Sequence, residues 1–225
     1  MVHHTYHTND ATPPCCVVTR ANSPNNQMKQ EFERMVQATA PAHSQEPVNT
    51  PKLGMWMFLA SEVMFFSVLI AMFLLFRFRS GVVPSEILNI PLTAINTFIL
   101  LTSSMTVVQG LAAIQRGDQG KFRLWMIISL ILGTFFISVQ IIEYRELIHE
   151  GLTISSDLFG TAFFTLTGFH GAHVFIGLVW LLALIIQGLR GRFTAQRNLP
   201  IEIFGLYWHF VDIVWILLFV IVYLI

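Results

Sequence analysis

Five apolar runs constrain this chain more than any other feature: residues 54–76, 92–114, about 122–142, about 159–189 and 203–225. Each meets the length of roughly 20 residues that a helix needs to cross about 30 Å of hydrocarbon. Inside lipid the backbone must satisfy its own N–H and C=O groups, which leaves a helix as the form each run takes. The sequence therefore predicts an all-α, polytopic membrane protein, a bundle of five transmembrane helices. The fourth run is overlong and should tilt or protrude. Pro91 and Pro200 stand just before the second and fifth runs, where a missing N–H costs little. Short connectors make successive helices antiparallel neighbours. Composition agrees: 54% of residues are hydrophobic and only 12% charged, with the charges displaced to the segment ends.

Residues 1–50 differ from everything after them, so the expected organisation is a polar tail, 1–50, and a membrane domain, 51–225. The tail is rich in Asn, Thr, Pro, Gln and His and reads as disordered and not translocated. Within it Met28, Phe32, Met35 and Val36 fall at helical spacing, which suits a short surface helix over 28–38. His3, His4 and His7 fit a flexible polar tail better than a metal site. Cys15 and Cys16 are adjacent and cannot staple distant parts of one chain together. The formal net charge is zero, so no nucleic-acid partner is indicated.

Basic residues give an orientation. On the side of the tail lie Lys52, Arg116, Lys121, Arg123, Arg190, Arg192 and Arg197, and on the other only Arg77, Arg79 and Arg145. This asymmetry puts the N-terminus in the cytoplasm and the C-terminus outside.

Polar groups inside the runs are the candidates for function. His170 and His173 lie three residues apart, so both imidazoles should project toward one face. Gly168, Gly171 and Ala172 beside them should let another helix backbone come close. Two neutral histidines bridging helices would give the same pattern without further function. Glu62 lies eight residues into the first run, about 12 Å along its axis, and must be protonated, paired or wet. His170 and His173 are its available partners if the first and fourth helices meet. Asn96, Thr97 and Thr102-Ser103-Ser104 read as packing surface. Glu143-Tyr144-Arg145-Glu146 reads as an interfacial charge cluster. His209 and Asp212 are again three apart, which suits either a carboxylate orienting an imidazole or a structural pair. The histidine spacing lacks the i, i+4 pattern and glutamate of a zinc-protease helix, and no Gly-rich phosphate loop occurs. These residues leave three classes open: a membrane cytochrome with haem between histidines such as His170 or His173 and His209, a proton-coupled transporter, and a structural subunit of a larger complex.

The segments LGMWMFLASEVMFFS, PLTAINT, GTAFFTLTGFHGAHVFIGL, RGRFT and LYWHFVDIVWILLFVIVY closely resemble subunit III of haem-copper terminal oxidases, in order and spacing. The resemblance runs from about residue 43 to 225, and its form looks more like cytochrome c oxidases than quinol oxidases. It implies a noncatalytic subunit of a proton-translocating terminal oxidase, with no catalytic, metal or cofactor-binding residue in this chain. Haems and copper would sit in partner subunits I and II. Subunit III packs mainly on subunit I, holds phospholipid, and supports proton uptake and sustained turnover. Glu62 matches the family's intramembrane glutamate, while His170, His173, His209 and Asp212 match its polar helix positions. Glu202 matches the acidic residue six before its Trp-His. His43 and Lys52 match a His and a basic residue ahead of the helix, and with Arg190 and Arg192 they are the candidates for lipid headgroups. Many members have seven helices, and this chain lacks the first two, which extra helices on subunit I can replace. A bacterial-type plasma membrane follows, with the five-helix form disfavouring a mitochondrial one. The alternative is a superfamily accessory protein of a nitric oxide reductase.

Overall fold

The structure, a computed structural model, describes residues 24–39, 50–80, 90–149, 151–154 and 158–224. His3, His4, His7, Cys15, Cys16, His43 and most of the segment read as a disordered tail lie outside the described residues. The chain divides into two units, Met1–Pro47 and Val48–Ile225. The first holds one described helix, α1 (Pro24–Thr39), which encloses the stretch read as a surface helix.

The second unit is built from α2 (Thr50–Ser80), α3 (Ile90–Gln115), α4 (Gln119–His149), α5 (Leu158–Leu189) and α6 (Leu199–Phe219). A π-helical turn, Val220–Leu224, continues α6. All five helices are long and apolar enough to cross a membrane, and no strand occurs among the described residues. The fold is the all-α, five-span bundle that the hydropathy predicts. Its helices overrun the apolar segments, and α4 continues to His149. Hydrogen bonding ends a helix, whereas hydropathy marks only the part in lipid.

Local chemistry sets the turns. After α3, Gly117 adopts φ 80°, its N–H bonds the Ile114 carbonyl at 2.9 Å, and the Asp118 N–H bonds Ala113 at 3.0 Å. This left-handed stop suits glycine and satisfies carbonyls that α3 leaves open. Asp118 then starts α4 by accepting the Lys121 backbone N–H at 3.1 Å. That bond and the nearby Lys121 ammonium hold the Asp118 carboxyl below its ordinary pKa. Pro200 sits in the first turn of α6, where its absent N–H is not missed.

α6 packs against α2, α3 and α5, while α5 packs against α2, α4 and α6; α3 and α4 share the most extensive interface. In lipid no hydrophobic force drives helices together, so close packing and hydrogen bonds must do so. Trp208 is 0% exposed. A Cβ on Gly177 would lie 2.6 Å from its ring, and one on Gly133 would lie 3.2 Å away. These glycines of α5 and α4 open the slot that the indole fills. The small residues beside the histidines do not play that part. A Cβ on Gly171 would meet nothing within 4 Å, and one on Gly168 only the Tyr144 hydroxyl at 3.9 Å.

Candidate functional site: polar groups within the bundle

The seam between α3 and α6 carries a ladder of polar contacts. The Trp215 indole donates to Thr97 Oγ1 at 3.0 Å and the Trp208 indole to Ser103 Oγ at 3.0 Å. His209 Nδ1 bonds the Ser104 hydroxyl. Thr106 pairs with Ser129 of α4, and Asn96 Nδ2 donates to the Phe136 carbonyl at 3.3 Å. Asn96, Thr97, Ser103 and Ser104 thus form the packing surface that the composition suggests, whereas Thr102 is exposed and donates to the Phe98 carbonyl of its own helix. Thr97 and Ser103 back-bond their own helix while accepting from α6, so each hydroxyl is satisfied twice.

Near the opposite end of the bundle, Glu143 is only 4% exposed. Its Oε1 accepts from Thr93 Oγ1 at 3.1 Å and from the Tyr223 hydroxyl at 3.0 Å. Tyr144 donates to Thr167 Oγ1 at 2.6 Å. Arg145 and Glu146 are exposed. The run read as one interfacial cluster is therefore split, with Glu143 inside and its charged neighbours outside. The signal for this was present: Phe122, Met126, Ser129, Gly133, Phe136, Gln140, Glu143 and Leu147 alternate in steps of four and three, and all are buried.

The two histidines of α5 separate. His173 Nε2 lies 3.2 Å from Glu62 Oε2, and its Nδ1 lies 2.7 Å from the Phe169 carbonyl. A carbonyl can only accept, so Nδ1 carries a proton. The Nε2–Oε2 approach sets the carboxyl of α2 against the imidazole of α5, the kind of partner that an ionisable group inside a membrane span needs. Phe66 meets the His173 ring edge-on at a centroid distance of 5.1 Å, and the Tyr207 hydroxyl donates to the His173 carbonyl at 2.9 Å. His170 turns instead into the core, 1% exposed, stacked on Trp215 at 4.9 Å with Phe136 edge-on to it. Neither of its ring nitrogens has a hydrogen-bond partner among the described residues.

His209 and Asp212 do not pair. His209 bonds Ser104, and the buried Asp212 carboxyl has that same hydroxyl as its polar neighbour, too far off line for a well-formed hydrogen bond. Glu202 joins neither of them and instead forms an ion pair with Lys52, tying the starts of α6 and α2. Lys52 and Glu202 edge a pocket of about 320 Å³ that Trp56, Leu111, Leu206 and His209 also line. A second, apolar groove of about 590 Å³ runs between α2 and α6 past Phe66, Ile70, Phe210 and Leu217. Arg190 and Arg192 are exposed at the end of α5. Among the described residues no three His, Cys, Asp or Glu side chains come together.

Five spans, two of them joined by buried indole–hydroxyl bonds and two by a carboxyl–imidazole pair, define a polytopic membrane protein with intramembrane acid–base groups. Comparison with known proteins gives its family. The family model for cytochrome c oxidase subunit III matches residues 26–225, and the chain belongs to that family. It is 41% identical over 174 residues to quinol oxidase subunit 3 of Bacillus subtilis, covering 76% of this chain and 85% of that one. It is 37% identical over 174 residues to cytochrome c oxidase subunit 3 of Bacillus sp. strain PS3, covering 76% and 84%. It is 40% identical over 189 residues to a probable cytochrome c oxidase subunit 3 of Nocardia farcinica, covering 82% and 93%.

Proposed function

We propose that the chain serves as the noncatalytic subunit III of an aerobic cytochrome c oxidase, packing on subunit I, retaining phospholipid, and supporting proton uptake and turnover stability. Haems and copper belong, in this reading, to subunits I and II. The carrying observation is the Glu62–His173 pair: an acid–base couple with its nitrogen and oxygen 3.2 Å apart, between helices and near the surface of the bundle. Such a pair can rearrange its proton without creating net charge in lipid, which suits an auxiliary proton-handling role. Relatives named for cytochrome c and for quinol oxidases align about equally well, which fits a donor selected by other subunits. Lys52, Arg190 and Arg192, with His43, are assigned to phospholipid headgroups. The excess of basic residues on the side where α2 begins supports a cytoplasmic position for that side, in a bacterial plasma membrane.

Purification of the tagged chain in mild detergent, followed by mass spectrometry of the intact assembly, tests the assignment. The expected result is co-purification with haem- and copper-bearing oxidase subunits and oxygen consumption with reduced cytochrome c. Isolation with a nitric oxide reductase, or a Soret band on the chain alone, would overturn it. Activity with quinol but not cytochrome c would keep the subunit assignment and change the donor.

A further inference from the structure

Helix α1 has two faces. Met28, Phe32 and Met35 stand at i, i+4 and i+7, and at about 100° per residue they form one stripe. Their side chains are 64%, 66% and 63% exposed. Lys29 and Glu31 border the stripe, while Gln30, Glu33 and Arg34 lie on the opposite side of the helix. A helix of this length and composition is marginal in water and draws its stability from covering its apolar face.

The position of α1 in the chain identifies what covers it. Residues 40–49 separate Thr39 from Thr50, where the first span begins. Even fully extended, ten residues reach at most about 35 Å. A tether of that length keeps the leaflet that α2 enters within reach of α1, so lipid is available to it at high effective concentration. We propose that α1 is an interfacial helix, lying in the boundary between headgroups and acyl chains of that leaflet with Met28, Phe32 and Met35 toward the acyl chains. Lys29 and Arg34 are balanced by Glu31 and Glu33. Apolar burial, rather than attraction to anionic headgroups, holds the helix down, so neutral lipid suffices.

The test uses the full-length chain with Cys15→Ser and Cys16→Ser, carrying a single nitroxide label at Met28→Cys, Met35→Cys, Gln30→Cys or Arg34→Cys. It is reconstituted at one copy per phosphatidylcholine nanodisc. Labels at 28 and 35 should collide more with oxygen than with a water-soluble nickel chelate, and labels at 30 and 34 the reverse. High salt should leave the pattern unchanged, and Phe32→Ser should shift the labels at 28 and 35 toward nickel. Equal nickel accessibility at all four positions would overturn the proposal. So would shielding of 28 and 35 from both reagents only after other oxidase subunits assemble, which means a protein partner, or only with several copies per disc, which means self-association.

Discussion

Along the α3–α6 seam, the indoles of Trp208 and Trp215 donate to Ser103 and Thr97 from positions 0% and 1% exposed. Across α2 and α5, Glu62 meets His173 with side chains 17% and 16% exposed. Both regions put polar groups inside a membrane domain, yet their surroundings differ. In the two indole bonds each donor and acceptor is sealed within the chain, so these bonds can act only on the fold. On the α2–α5 face the pair lies near enough to the bundle surface to be reached by what lies outside it. Sealed polar groups hold helices together, and those that keep some exposure are available to a complex.

If the seam is structural, cutting it should damage the isolated chain most. Trp208→Ala empties the slot opposite Gly177 and Gly133 and removes the bond to Ser103. A loss of about 3–5 kcal/mol is expected, read as earlier unfolding by SDS in mixed micelles. Trp208→Phe keeps much of the ring and forfeits the N–H, which isolates a hydrogen bond worth about 0.6–1.7 kcal/mol between membrane helices. Equal losses in the two variants would show that the bond, and not the packing, dominates the seam.

A pair of glycines sharpens the contrast within one helix. Gly177→Ala places a methyl 2.6 Å from the Trp208 ring, and overpacking of this kind costs about 1–3 kcal/mol. Gly171→Ala meets nothing within 4 Å, and in the same unfolding assay it should be neutral. Destabilisation by Gly171→Ala would mean that the bundle packs more closely on the α2–α5 side than the open space beside Gly171 implies.

The surface cations should have the smallest effect. Lys52, Arg190 and Arg192, if they hold headgroups, contribute about 1 kcal/mol each near an anionic surface. Changing all three to Gln should reduce the anionic phospholipid retained by the purified assembly, measured by lipid mass spectrometry. Lys52 already pairs with Glu202, so Lys52→Gln alone should release less lipid than Arg190→Gln with Arg192→Gln. Unaltered lipid in the triple variant would remove the headgroup assignment.

The sequence made the five spans legible because a run of apolar residues long enough for lipid has few other fates. It made Glu62, His173 and His209 visible because ionisable groups stand out in such runs. It concealed their partners. Spans that are apolar nearly all round have little amphipathic phase, so outside the polar stripe of α4 little in the sequence says which way each helix is rotated. That is why Gly168 and Gly171 drew attention while Gly177 and Gly133 seat the tryptophan. It is also why His209 was matched to Asp212 on its own helix and not to Ser104 across the seam. Glu143 was hidden for another reason: it lies just past the apolar run, beside the exposed Arg145 and Glu146, and only its place on the buried stripe of α4 marks it as internal.

In the proposed role the Glu62–His173 pair acts on the complex and not on the fold or on oxygen chemistry. Glu62→Gln keeps the shape and hydrogen-bonding capacity while removing the ionisable group. The most direct measurement is the oxygen consumed by the fully assembled variant oxidase before half of its activity is lost, beside its initial rate. The account predicts normal assembly, a retained initial rate and a shortened active lifetime, with the SDS unfolding of the isolated chain nearly unchanged. Immediate loss of all oxidase activity with haems and copper intact would contradict it, as would a full lifetime with unchanged proton uptake.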